Sequence, residues 1–141
     1  MEIPRFHLAF PVHDIEKARV FYAEILGCEV GRSSDKWIDF NLYGHQIVAH
    51  LSPQDCSLTK KNEVDGDDVP SRHFGVILPW DKWDQLVNFL KNKDITWLIE
   101  PRIRFMNTPG EQGTFFIVDP SGNNLEFKTF KNDKNIFKSI K

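Results

Sequence analysis

Cysteine is nearly missing from this 141-residue chain: Cys28 and Cys56 stand alone, with no CxxC spacing. That excludes a disulfide framework and a thiolate zinc site and leaves two ordinary thiols. No apolar run approaches membrane-spanning length, so no transmembrane helix is expected. An excess of positive charge is missing too. Lys and Arg number 18 against 20 Asp and Glu, for a formal charge of −2, and the two signs are mixed along the chain. The electrostatic footprint that a phosphate backbone requires is absent, which excludes nucleic acid as an expected partner. The opening residues, Met1-Glu2-Ile3-Pro4-Arg5, lack the basic and apolar regions of a secretory signal. A cytoplasmic protein without a membrane partner is the expectation.

What is present is material for a core: 40% hydrophobic residues, with 12 Phe and 4 Trp. A chain of this length buries roughly two-thirds of its unfolded surface and is short for two independent domains. A single domain over 1–141 is expected, in two packed halves.

Residues Phe6 to Val12 alternate as a strand, with Phe6, Leu8, Phe10 and Val12 on one face and His7, Ala9 and Pro11 on the other. Asp14 then has the place of a helix N-cap, Ile15, Ala18, Phe21, Tyr22, Ile25 and Leu26 recur at helical spacing, and Gly27 supplies the stop. Strand-like pieces follow near Glu29 to Arg32, at Trp37 to Leu42 and, after the turn signal Tyr43-Gly44, at Gln46 to Leu51. Module one, 4–52, is therefore β-α-β-β-β. The polar stretch 53–70 has the composition of a surface connection.

The theme then returns over 71–130. His73-Phe74-Gly75 repeats His7-Leu8-Ala9 in placing a small residue two positions after a histidine, on the same strand face. Asp81 is the expected cap of a helix whose apolar positions are Trp83, Leu86, Val87 and Leu90. Strands are expected at Thr96 to Ile99, Thr114 to Val118 and Asn124 to Phe130, with Asp119-Pro120-Ser121-Gly122 as the last turn. The tail, 131–141, carries Ile136, Phe137 and Ile140 among Lys and Asn, and reads as a short edge helix or a frayed end.

Imidazoles and carboxylates that project from neighbouring strands into one cavity are what a rigid metal site needs. Two strands here begin with a histidine on the less apolar face. The last strand puts Leu125, Phe127 and Thr129 on one face and Glu126 with Lys128 on the other. His7, His73 and Glu126 make a two-histidine, one-carboxylate facial set, suited to Fe(II) and usable by Mn, Zn, Ni or Co. A lone strand histidine is more often structural, and an isolated Glu126 is as well explained by a solvated face; recurrence of the histidine in both repeats lifts the metal reading. His50 has the same face parity as Glu126 and is open to three readings: a fourth ligand, an acid/base near the substrate, or a surface residue. For His13 and His45 a structural role is favoured.

The His7 strand, the helix containing Ala18-Arg19-Val20-Phe21-Tyr22 and ending Ile25-Leu26-Gly27, the second histidine His73, and Asp119-Pro120-Ser121-Gly122-Asn123-Asn124-Leu125-Glu126 together resemble the vicinal oxygen chelate superfamily, over roughly residues 4 to 130. Gly44 to His50, His73 to Trp80 and Gly110-Glu111-Gln112 look like a branch described as extradiol-type dioxygenases. The resemblance implies an α+β fold of two βαβββ modules forming an open, U-shaped mixed barrel. It also implies a divalent metal, Fe(II) foremost, on ligands matching His7, His73 and Glu126, a small-molecule substrate, and a homodimer. Glyoxalase I enzymes usually have a glutamate where this chain has His50, which weakens an isomerase mechanism there. The expected function is an extradiol-type dioxygenase with His50 and Glu126 in catalytic roles. Arg104, Glu111 and Phe105 would contact substrate, although Arg102 and Arg104 are equally well explained as solvated charges. The alternatives are a glyoxalase-like isomerase or lyase, and a non-catalytic binding or resistance protein whose cleft Trp37, Phe40 and Phe105 would line.

Overall fold

The computed structural model describes residues 3–57, 61–64 and 67–139; Ile140 of the tail and parts of the 53–70 connection lie outside them. Two compact units make up the chain. The first comprises Met1–Lys61 together with Asp119–Asn123, and the second Asn62–Val118 with Asn124–Lys141. Among the described residues no helix is long and apolar enough to cross a membrane.

In the first unit β1 (His7–Val12), β2 (Glu29–Ser33), β3 (Trp37–Leu42) and β4 (His45–Leu51) form one sheet in the order β1-β4-β3-β2. β1 runs parallel to β4, and the other neighbours are antiparallel. The alternation read from sequence decides the faces. Phe10, Val12, Ile38, Phe40, Leu42, Ile47 and Ala49 are buried on one side, where Tyr22 packs against the rings of Phe10 and Phe40. The cross-strand partners His7 and Gln46, Ala9 and Val48, and Pro11 and His50 share the opposite face.

The helix begins where Asp14 accepts from the Lys17 N–H at 2.9 Å. It runs as α1 (Ile15–Arg19) and then widens into a π-helical stretch, Val20–Ile25. Leu26 N–H reaches back to the Phe21 carbonyl, and Gly27 turns the chain at φ +80, a conformation that suits glycine. The Tyr43-Gly44 turn has both residues at positive φ, as a tight hairpin demands.

The turn Asp119–Asn123 belongs to this first unit although the strands on either side of it do not. Asp119 accepts from the Tyr22 hydroxyl at 2.7 Å, from the N–H groups of Ser121 and Asn123, and from the Asn123 side chain. Burial pushes the Tyr22 phenol well above its usual range, so it stays protonated and donates. Burial likewise pushes the Cys28 thiol up to about 12, which leaves it inert.

In the second unit β7 (Thr96–Arg104), β8 (Gln112–Val118) and β9 (Asn124–Phe130) form an antiparallel sheet in that order. Residues 73–78, expected as a strand, make isolated parallel bridges to β9 at Phe74–Leu125 and Ile77–Lys128. Close backbone approach explains why the residue after Phe74 is glycine: a Cβ on Gly75 would lie 1.6 Å from the Glu126 carbonyl oxygen. The second helix, α2 (Trp80–Leu90), starts two residues earlier than expected. Pro79 holds the cap position without a side-chain hydrogen bond, and Asp81, expected as the cap, lies in the first turn. Trp83, Leu86, Val87 and Leu90 are buried as their spacing requires. Trp83 Nε1 donates to the Phe127 carbonyl, and the Phe115 and Phe127 rings stack.

The 53–70 connection is not wholly irregular: β5 (Lys61–Val64) and β6 (Asp67–Pro70) pair as a two-stranded ribbon. Among the described residues of the tail, Asp133–Asn135 forms a single 3-10 turn, capped by Asn132.

Candidate metal centre

Two of the three expected ligands meet. His73 Nε2 lies 3.3 Å from Glu126 Oε1, and Thr114 Oγ1 donates to Glu126 Oε2 at 2.5 Å. On its other side the His73 ring has Nδ1 2.7 Å from the Pro70 carbonyl oxygen. A carbonyl oxygen only accepts, so Nδ1 carries the hydrogen and Nε2 is the atom turned to the carboxylate. The Phe116 ring meets the imidazole edge-on at 5.0 Å. The strand register explains the grouping: β9 pairs Glu126 with Phe116 and Lys128 with Thr114, so all four share one face.

The two groups bias each other's protonation. The hydrogen bond to Glu126 raises the His73 pKa against a lowering by burial, and the Pro70 carbonyl and the Glu126 charge add to the rise. Burial alone would raise the Glu126 pKa; the hydrogen bonds from His73 and Thr114 outweigh it and hold the carboxyl below its ordinary value. The arrangement thus calls for a cation between the two, a proton or a metal.

His7 lies in the first unit and is held differently. Its Nδ1 is 2.8 Å from Gln46 Oε1, and Gln46 Nε2 donates to Asp39 Oδ2 at 3.3 Å. Since the amide nitrogen is spent on Asp39, the amide oxygen accepts from His7 Nδ1–H, which again leaves Nε2 as the ring nitrogen with the lone pair. Arg32 Nε stands 3.7 Å from the same Asp39 oxygen. Sequence pattern alone did not single out Thr114, Gln46 or Asp39. Their signal was face parity with the histidines, a weak one until the register is known.

Among the described residues no three His, Cys, Asp or Glu side chains are gathered closely enough to hold an ion. The expected set is present as the pair His73–Glu126 and a histidine, His7, in the other unit. In donor type these residues fit a divalent metal: each imidazole has its Nδ1 tied to an oxygen and its Nε2 left as the ligand atom, and the carboxylate is steadied from behind by Thr114.

His50 shares its face with His7, as its parity required, but stands four residues further along: Gln46 is opposite His7, and His50 is opposite Pro11. At roughly 3.3 Å per residue that is about 13 Å along the strand, too far for both to bind one ion, so the fourth-ligand reading is withdrawn. The residue two after His7's partner is Val48. Glu126 similarly lies two residues beyond Asn124, whose carbonyl accepts from Phe74 N–H beside His73. The first module thus has a valine where the second has its carboxylate.

Arg102 lies opposite Thr114 and Arg104 opposite Gln112, on the face that carries Glu126. Arg104 stacks on Phe105, which holds a left-handed conformation at φ 54, as does Asn107 at φ 62. Glu111 Oε1 accepts from Asn107 N–H and braces this loop. Trp37 is on the His7 face beneath Arg32, whereas Phe40 is buried against Tyr22 and lends no side chain to a cleft. His13 and His45 have structural partners, Ser121 Oγ at 2.7 Å and the Phe6 N–H at 3.0 Å.

No curated protein matches the chain by sequence. Among solved structures it is similar to a glyoxalase/bleomycin resistance protein/dioxygenase from Alicyclobacillus acidocaldarius, with 34% identity over 95% of this chain and 96% of that one and a TM-score of 0.77. The fold is shared with the genomically encoded fosfomycin resistance protein FosX from Listeria monocytogenes, at 17% identity, 96% and 100% coverage and a TM-score of 0.68. A virulence protein from Salmonella typhimurium shares it too, at 21% identity, 92% and 99% coverage and a TM-score of 0.60. Residues 6–127 match the family profile of the Glyoxalase/Bleomycin resistance protein/Dioxygenase superfamily, and the chain belongs to that superfamily.

Proposed function

We propose that the protein is a divalent-metal-dependent enzyme acting on a small substrate that chelates through adjacent oxygens, with extradiol-type cleavage of a catechol-like diol as its reaction. His7, His73 and Glu126 are its metal ligands in this reading, and Fe(II) is the metal. The observation that carries it is the His73 imidazole, whose Nδ1 is spent on the Pro70 carbonyl while Nε2 faces a carboxylate 3.3 Å away. A neutral ring in that setting would turn a lone pair toward an anion, an arrangement that only a cation between them relieves.

When bound, such an ion supplies Lewis acidity to a chelating diol and, as Fe(II), the redox chemistry that dioxygen requires. The chain's own residues do the rest. Thr114 fixes the rotamer of Glu126, and Pro70 and Gln46 fix the imidazole tautomers, so that His73 and Glu126 would hold the ion in place of a shared proton. Lys128, close enough to lower the pKa of both groups, offsets the charge of an ionised substrate. Arg104, which shares that face, would meet its oxygens in this reading. Val48 offers no base in the first module, which sets the dioxygenase reading above a glyoxalase-like isomerase.

The test is metal analysis of protein purified without added metal, followed by oxygen uptake with a panel of catechols under Fe(II). Stoichiometric uptake supports the reading. Bound metal with no oxygen consumed points to an isomerase or lyase, and ligand binding unchanged by metal removal points to a resistance protein. We also read the protein as a cytoplasmic homodimer, which light scattering after size exclusion checks for the oligomeric state.

A further inference from the structure

Asp39 is a buried carboxylate with little to hold it. It is 6% exposed, and its contacts are long: Gln46 Nε2 at 3.3 Å and Arg32 Nε at 3.7 Å, both on Oδ2. Among the described residues no hydrogen bond is made to Oδ1. Oδ1 is not buried from solvent, so this otherwise enclosed carboxylate can take a further donor there. The space for one is there. A cavity of about 410 Å³ within the first unit is lined by Asp39, Glu29, Arg5, Arg32, Asn41 and Gln46, a volume in the range of small-molecule sites. Gly31 keeps it open above the carboxylate, since a Cβ there would lie 3.2 Å from the Asp39 Cβ.

The lining decides what fits. Both neighbouring amides are engaged within the protein: Asn41 accepts from Gly44 N–H, and Gln46 bridges His7 and Asp39. Besides His45, whose Nδ1 accepts from the Phe6 N–H, the remaining recognition groups are charged and balanced, two carboxylates against two guanidinium groups. A simple anion would satisfy Arg5 and Arg32 and repel Asp39; a simple amine would do the reverse. A molecule carrying both charges a few bonds apart satisfies all of them, its ammonium toward Asp39 and its carboxylate toward the arginines.

We propose that this cavity binds a small zwitterion of the α-amino-acid type, with Asp39 receiving the ammonium group and Arg5 with Arg32 receiving the carboxylate. The site needs no metal, so it stands or falls separately from the proposed reaction. The probe is L-serine, with L-lactate and ethanolamine as matched molecules lacking one charge each, titrated by protein-observed NMR into the protein as purified and again after chelation of metal. The expected result is saturable shifts of the Gly31, Asn41 and Gly44 amides by L-serine in both preparations, with lactate and ethanolamine at least about tenfold weaker. Asp39→Asn and Arg5→Gln are each expected to weaken L-serine by about tenfold. Arg5 is exposed at the rim, so Arg5→Gln decides the matter if the buried variant does not fold. Equal affinity for lactate, absence of saturable shifts at these amides, or an unchanged affinity in Arg5→Gln overturns the assignment.

Discussion

His7 donates its Nδ1–H to a side chain, Gln46, which donates in turn to Asp39; His73 donates the same N–H to a backbone carbonyl, that of Pro70. The two modules repeat a scaffold and reach the same imidazole tautomer by different means. Beyond the histidines they part. The second module has Glu126 two residues past its histidine's neighbour, and the first has Val48. Duplication thus preserved what the backbone needs, a histidine entering a sheet beside a parallel partner, and let the ligand chemistry diverge. One module supplies a charged pair and the other a neutral donor beside a polar cavity.

The largest expected effect comes from removing what the first module lacks. Glu126→Gln keeps the side-chain shape, removes the charge, and is expected to lower metal affinity by on the order of 100-fold or more in chelator competition, whereas Val48→Ala leaves it within about twofold. Next is the backbone contact peculiar to the second module. Gly75→Ala sets a methyl 1.6 Å from the Glu126 carbonyl and is expected to cost about 3 kcal/mol in urea unfolding, while Ala9→Ser at the matching place in the first module stays within about 0.5 kcal/mol.

The supports behind the ligands come third: Thr114→Val and Gln46→Leu are each expected to lower metal affinity by about tenfold, and an equal loss would show that a side-chain tether and a carboxylate brace matter alike. A smaller effect is expected from pH in the metal-free protein. His73 stands above its ordinary value of 6.5, so its share of stability is complete below 6.5 and is lost as pH rises through the raised value. Glu126 stands below its ordinary 4.5, so its share is complete above 4.5 and is lost as pH falls through the lowered value. The pair therefore contributes most between 4.5 and 6.5, by about 1 kcal/mol, and Glu126→Gln should flatten that maximum in thermal unfolding.

Much of this architecture was legible because its signals are local. Asp14 caps, Gly27 stops the first helix, Tyr43-Gly44 turns, and the alternation in Asn124 to Phe130 separates buried Leu125 and Phe127 from Glu126. The histidine repeat pointed to His73 and Glu126 for the same reason. What escaped depended on register, which a single strand does not encode. His50 has the right parity and the wrong row, because parity repeats every two residues and says nothing of which pair faces His7. The start of α2 moved from Asp81 to Pro79 because proline at the entry serves as a boundary without a side-chain cap. The β5–β6 ribbon's counterpart in sequence was only a polar stretch, with too few apolar positions to show a period.

The central claim is that two imidazoles and one carboxylate, drawn from both modules, hold a single divalent ion. Titrating Co(II) into metal-free protein tests it, with the ligand-field spectrum and stoichiometry read for the wild type and for His7→Ala, His73→Ala and His50→Ala. One ion per chain is expected, lost in the first two variants and kept in the third; a wild type that takes up no ion, or a His7→Ala protein that binds it as tightly as the wild type, would contradict the account.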